Sequence, residues 1–161
     1  MTTVAYKNGA MAADSQLTCD NRKTRVQKIV RLPDGGIASG CGLWVAAYAG
    51  LKFLAAGGCE DDAVLPNIED ATLLIAKPDG SLWVLDGRFP AYPILDTVYA
   101  IGCGSEAALM AMAKGDGAVS AVLAAIDQDA LCGSPVHSME IIQPLDYPTA
   151  KTHRKKGSNG Y

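Results

Sequence analysis

Thr2-Thr3-Val4-Ala5-Tyr6-Lys7-Asn8-Gly9-Ala10-Met11-Ala12-Ala13-Asp14 stands at the start of the chain. Two apolar runs, Thr2 to Tyr6 and Ala10 to Asp14, flank Lys7-Asn8-Gly9. An Asn-Gly pair between two such runs is a strong hairpin signal, because both residues accept the positive φ that a tight two-residue turn needs. The chain therefore opens on a hairpin whose first strand begins at its second residue.

Working outward, Pro33-Asp34-Gly35 separates Val26–Leu32 from Gly36–Cys41, and Pro78-Asp79-Gly80 separates Leu73–Ala76 from Leu82–Leu85. Both are turn chemistry. Val98–Ile101 and Val136–Ile142 read as further strands. Leu43–Ala56 reads as a helix that is apolar almost all round, so burial on most faces is expected. Ser105-Glu106 opens a second helix with a capping serine, and Gly115 closes it. Asp116 is placed to cap a third helix running to about Ala130. The order is hairpin, hairpin, helix, hairpin, strand, helix, helix, strand. Paired antiparallel strands with helices in blocks point to an α+β layered fold and away from an alternating βαβ fold.

The 161 residues are 49% hydrophobic and 19% charged, with a formal net charge of −3. That length corresponds to one domain. It is enough to bury a core without metal or disulfide, and the composition is not that of a disordered chain. The acidic balance argues against nucleic acid as the main partner. No apolar run is long enough to span a membrane, and the opening residues do not read as a secretory leader. The five cysteines, Cys19, Cys41, Cys59, Cys103 and Cys132, show no CxxC or Cys/His pairing. No metal site is expected from them, and a cytoplasmic protein with reduced thiols is the simplest reading. After Gln143 the character changes: two prolines precede the basic run Lys151-Thr152-His153-Arg154-Lys155-Lys156. Residues 1–143 therefore read as the domain and 144–161 as a basic, solvated tail.

None of the GxSxG, HExxH, Walker or GxGxxG patterns is present. Of the two histidines, His153 lies in the tail and His137 in a strand, so a histidine-based triad is not expected. The N-terminus offers another route. Loss of Met1 would expose Thr2, whose hydroxyl is a nucleophile and whose free α-amine is a base in the same residue. An α-amine has an ordinary pKa of about 7.7–8.0, so a modest downward shift leaves it neutral at working pH. A neighbouring lysine would supply that shift by like-charge repulsion, and an aspartate would hold the lysine in place.

The segments Thr2–Gly9 and Ala12-Ala13-Asp14-Ser15-Gln16-Leu17-Thr18 resemble the opening of proteasome β subunits and of the bacterial HslV peptidase. Gln27-Lys28-Ile29-Val30-Arg31-Leu32 is similar to the lysine strand of that family, and Ile37-Ala38-Ser39-Gly40 to its Ile-Ala-Gly segment. Ala100-Ile101-Gly102-Cys103-Gly104-Ser105 resembles its Ile-Gly-Ser-Gly motif, and Asp129-Ala130-Leu131-Cys132-Gly133 its Asp-x-x-Ser-Gly motif. The segments follow the family order over residues 2 to about 142.

The resemblance implies a four-layer αββα sandwich of the N-terminal-nucleophile hydrolases and a threonine-type endopeptidase acting through an acyl-enzyme. Thr2 would be the nucleophile, with Lys28 tuning its amine and Asp14 orienting Lys28. Asp129 would support the Thr2 hydroxyl and amine. Backbone N–H groups of Ser39 or Gly40 would form the oxyanion hole, and Thr18 would line a groove for an extended polypeptide. No cofactor or metal is implied, and a homo-oligomeric ring is. The resemblance also places Cys103 and Cys132 in the catalytic set, where the family has two serines that support the proton relay near Thr2; a thiol is the weaker hydrogen-bond donor, so a slower or altered relay is expected. Between Gly40 and Leu73 the family has two long helices. Here Leu43–Ala56 is followed by Gly57-Gly58, Glu60-Asp61-Asp62 and Pro66, so a reduced helical layer is expected. That reduction leaves open whether an AAA+ ATPase cap docks. Two other readings stay open on sequence grounds: an amidase acting on a small amide, and a non-catalytic ring subunit.

Overall fold

The computed structural model describes residues 1–60 and 66–143. The opening hairpin forms as expected, with β1 (Thr3–Lys7) and β2 (Ala10–Ala13) joined through Asn8 and Gly9, both at positive φ. A second small hairpin follows, β3 (Gln16–Cys19) and β4 (Arg22–Arg25). Next come β5 (Ile29–Arg31), β6 (Ile37–Gly42), helix α1 (Trp44–Ala55), β7 (Ala71–Ala76), β8 (Leu82–Asp86) and β9 (Arg88–Ile94). The described chain closes with β10 (Val98–Gly102), α2 (Ser105–Ala113), α3 (Ala118–Gln128) and β11 (His137–Glu140).

Two antiparallel sheets organise these elements. One has the order β10-β1-β2-β11 and the other β5-β6-β7-β8-β9, while β3-β4 stands as a separate ribbon. Period-two alternation explains how they pack. From the first sheet, Val4, Tyr6, Met11 and Ala13 share a buried cluster with Ile29, Ile37, Leu74 and Val84 of the second. The residues between them, Ala5 and Ala12, turn the other way and pack with Ala108, Met112, Ala121 and Val122 of α2 and α3. On the far side of the second sheet, Ala38, Leu73 and Ile75 pack with Ala47, Leu51 and Leu54 of α1. Small residues set that approach: a Cβ on Gly40 would lie 2.5 Å from Leu73 Cδ2 and 3.2 Å from Ala47 Cβ.

Three local expectations are corrected. Helix α1 is buried on one face only, through Ala47, Gly50, Leu51 and Leu54, and leaves Val45 and Tyr48 exposed with Leu43 beside them. Ser105 does not cap α2; it is the first helical residue, the N-cap is Gly104, and no side chain caps the helix. Asp116 does not cap α3 either, since that position belongs to Gly117. Instead the backbone carbonyls of Asp116 and Met112 accept hydrogen bonds from Lys7 Nζ, tying the turn between the helices to β1. Among the described residues no helix lies between α1 and β7, and no helix is long and apolar enough to cross a membrane. The basic tail lies outside the described residues.

Candidate active site around the start of β1

The site is set by where β1 begins. β1 is an inner strand, paired with β10 on one side and β2 on the other, with Thr3 opposite Gly102. Its alternation sends the Thr2 side chain to the face of Val4 and Tyr6, between the sheets, and the Thr3 side chain to the helical face. Thr2 is 4% exposed, and its carbonyl accepts the Cys103 N–H at 2.9 Å. Only glycine allows this approach. Gly102 has φ of +96°, and a Cβ there would fall 1.8 Å from the Thr2 carbonyl oxygen.

Asp14 follows directly on β2, and Lys28 directly precedes β5 in the opposite sheet. Both are 0% exposed, and Lys28 Nζ lies 3.0 Å from Asp14 Oδ1. Lys28 Nζ also donates to the Gln16 carbonyl at 2.6 Å and the Met1 carbonyl at 3.1 Å, which places it at the Met1–Thr2 peptide bond. Asp14 is held by the backbone as well. It accepts the N–H groups of Thr3 at 3.0 Å, Gln16 at 3.1 Å and Gly133 at 3.1 Å. A buried ion pair is tolerated when the remaining lone pairs and protons are satisfied in this way. The structure thus brings Thr2, Asp14 and Lys28 together from three separate segments.

Cys103, Cys132 and Asp129 meet on the other side of β1. The two sulfurs are 3.3 Å apart. Cys132 Sγ is 3.0 Å from Thr3 Oγ1 and 3.8 Å from Asp129 Oδ2, and Cys103 Sγ is 3.4 Å from the Thr2 carbonyl. Burial pushes the Cys132 thiol up to about 12, and burial with the adjacent Asp129 carboxylate raises Cys103. Asp129 is lowered, first by a hydrogen bond from Cys103 and then by the Leu131 N–H. It is the C-cap of α3 in extended conformation, which turns its carboxylate out of the helix axis. Sequence reasoning missed Thr3, whose hydroxyl accepts the Gly104 N–H at 3.0 Å and touches Cys132. No sequence pattern separates Thr3 from Thr2; only the alternation of β1 does.

Ser39 and Gly40 differ in which way their N–H groups point. Leu32 donates to Gly36, so in the β5–β6 register the hydrogen-bonded pairs fall on Ala38 and not on Ser39. The Leu43 donation to Asp70 fixes the β6–β7 side in the same manner, and Ser39 falls on a hydrogen-bonded pair with Leu74. Ser39 therefore spends its N–H on the β7 ladder and is corrected as an oxyanion candidate. Its hydroxyl instead donates to the Lys28 carbonyl at 2.7 Å, bracing the lysine. Gly40 points its N–H to the opposite side, toward the Lys28 end of β5. Thr18 lies in the β3–β4 ribbon and accepts from Gln16 Nε2, which also donates to the Ala130 carbonyl. That amide links the ribbon to the Asp129–Cys132 loop. His137 sits in β11 opposite Ala13, apart from these groups.

No family model matches the chain, and no curated protein matches it. Solved structures do. The chain is similar to BPH of Thiobacillus denitrificans in complex with epoxomicin, with 22% identity over 88% of this chain and 98% of that one, and a TM-score of 0.64. BPH without that ligand gives 22% identity, the same coverage and a TM-score of 0.59. Eukaryotic HslV from Trypanosoma brucei matches with 20% identity over 87% of this chain and 99% of that one, at a TM-score of 0.59. Two antiparallel sheets packed face to face, with the start of an inner strand at the meeting point of an aspartate, a lysine and a pair of thiols, is the arrangement these matches span nearly end to end. The chain has the N-terminal-nucleophile-hydrolase fold of the proteasome-β and HslV type.

Proposed function

We propose that the protein is a threonine peptidase that hydrolyses polypeptide amide bonds through an acyl-enzyme on Thr2 after loss of Met1. The observation that carries this reading is the buried Asp14–Lys28 pair with Lys28 Nζ at the Met1–Thr2 peptide bond. Once Met1 is removed, the ammonium faces the new α-amine. Its charge disfavours protonation of that amine and favours the Thr2 alkoxide, which is what a one-residue nucleophile and base requires. The Thr2 amine takes the hydroxyl proton, the alkoxide attacks the scissile carbonyl, and the Gly40 N–H is the donor we assign to the resulting oxyanion. Asp129 supports the Thr2 amine and hydroxyl. Thr18 borders the groove in which the substrate main chain lies extended.

In this reading the layers form an αββα sandwich. The three separate clusters, helices with first sheet, sheet with sheet, and second sheet with α1, support it. The exposed Leu43, Val45 and Tyr48 on and beside α1 support assembly of copies into a homo-oligomeric ring through this face. Residues 1–143 are the catalytic domain. The five free cysteines fit a reducing cytoplasm.

Incubation with a peptide epoxyketone followed by intact mass measurement tests the proposal. A mass lacking Met1 and carrying one adduct on Thr2 is expected. A chain that has lost Met1 and takes no adduct would overturn it in favour of a non-catalytic subunit.

A further inference from the structure

Asp129, which the peptidase reading places in support of Thr2, lies against two thiols to which that mechanism gives no step. We propose that Cys103, Cys132 and Asp129 bind a thiophilic divalent cation, zinc being the type case, with a fourth position left open.

The three donor atoms lie within 4.8 Å of one another. Tetrahedral zinc holds sulfur at about 2.3 Å and carboxylate oxygen at about 2.0–2.2 Å, so its ligand edges are about 3.8 Å for two sulfurs and about 3.5 Å for sulfur and oxygen. The Cys103–Cys132 separation is 3.3 Å and the Cys132–Asp129 separation is 3.8 Å. These two edges need adjustment by about half an ångström or less, and the third, between Cys103 and Asp129, lies within 4.8 Å. A disulfide would instead require the sulfurs to close to about 2.05 Å, a larger movement.

The carboxylate is preset for the task. Asp129 Oδ1 accepts the Leu131 N–H at 2.9 Å, which directs Oδ2 toward the sulfurs. The Cys132 N–H donates to the Asp129 carbonyl at 3.1 Å, closing a tight turn that brings residues i and i+3 onto one centre, as in a metal-binding knuckle. The third ligand arrives from a distant segment at the end of β10. That long separation is why no metal pattern is legible in the sequence. Cys103 is exposed, which gives an ion a path in. Both thiols lose their protons as the metal–sulfur bonds form, and the protons pass to solvent. An ion held here by three protein groups would keep a fourth position open, and Cys103 Sγ lies 3.4 Å from the Thr2 carbonyl.

Cobalt(II) is the probe. The reduced full-length chain, held in a phosphine reductant, is titrated with cobalt and followed by absorbance. The background carries Cys19→Ser and Cys59→Ser, which removes the two other exposed thiols. The expected result is one cobalt per chain, with a near-ultraviolet thiolate charge-transfer band and the visible bands of tetrahedral cobalt, bleached by added zinc. Cys103→Ser and Cys132→Ser should abolish the charge-transfer band. Asp129→Asn, which keeps an oxygen to accept the Leu131 N–H, should weaken binding about ten-fold or more. Absence of the band in the reduced chain, or a band that survives both serine variants, would overturn the proposal. So would air oxidation to a Cys103–Cys132 disulfide in a chain whose reduced form takes up no cobalt. The readout is independent of turnover, so its failure leaves the peptidase reading standing, and the reverse also holds.

Discussion

Asp14→Ala is expected to lower the unfolding free energy by about 3–5 kcal/mol, leaving a marginally folded chain. Asp14 is fully buried and answers four donors: Lys28 Nζ and the backbone N–H groups of Thr3, Gln16 and Gly133. Its removal strands a buried ammonium and three buried or half-buried amides at once. Those amides come from β1, β3 and the loop before β11, so the loss loosens three segments together. Urea denaturation of the variant beside the parent measures the difference. A cost below about 1 kcal/mol would show that the carboxylate does not hold the site together.

Lys28→Met should behave differently in kind. Methionine keeps much of the buried volume, and Asp14 retains its three backbone donors. The stability cost is therefore about 2 kcal/mol, less than that of Asp14→Ala. Turnover of a peptide substrate should nevertheless fall by about 100-fold or more, because the charge beside the Thr2 amine is gone. The comparison separates support from chemistry: the aspartate carries more of the fold, the lysine more of the reaction. If Lys28→Met were the more destabilising of the two, or if it turned over normally, the assignment of roles would fail.

The first hairpin and the central hairpins were legible from apolar alternation around Asn-Gly or Pro-Asp-Gly, the first two helices from apolar stretches closed by glycine, and the third from its apolar stripe alone. What escaped had physical reasons. The β4 strand reads Arg-Lys-Thr-Arg and is exposed throughout, so it has no buried face to write a pattern into its sequence. The β9 strand contains Pro90 and Pro93, which look like breakers. Pro93 is permitted because β9 is the edge of its sheet, where a missing N–H faces outward, and Pro90 falls in the irregular stretch where β9 leaves the β8 ladder. The Ser105 cap is displaced because close contacts with Thr3 and Ala125 call for glycine at position 104, the residue that turns into α2.

In the site, Asp14, Lys28, Cys103, Cys132 and Asp129 were named from the motifs, and the fold gathers them. The choice between Ser39 and Gly40 was beyond the sequence. It depends on which way a ladder alternates, and a shift of one residue reverses the answer. The nearness of Cys103 and Cys132 is implied by the family resemblance, and the structure puts their sulfurs 3.3 Å apart; the contact of Cys132 with the Thr3 hydroxyl is the part that the motifs do not announce.

The pinning of β1 between β10 and β2 has a practical consequence for how the protein is produced. The ladder residues from Thr3 onward fix the register without help from whatever precedes them. An affinity tag fused ahead of Thr2 would thus give a protein that folds and purifies normally, yet has an amide where the proposed mechanism calls for an amine. Any assay of this chain belongs on material with a carboxy-terminal tag, or none, and with its first residue verified.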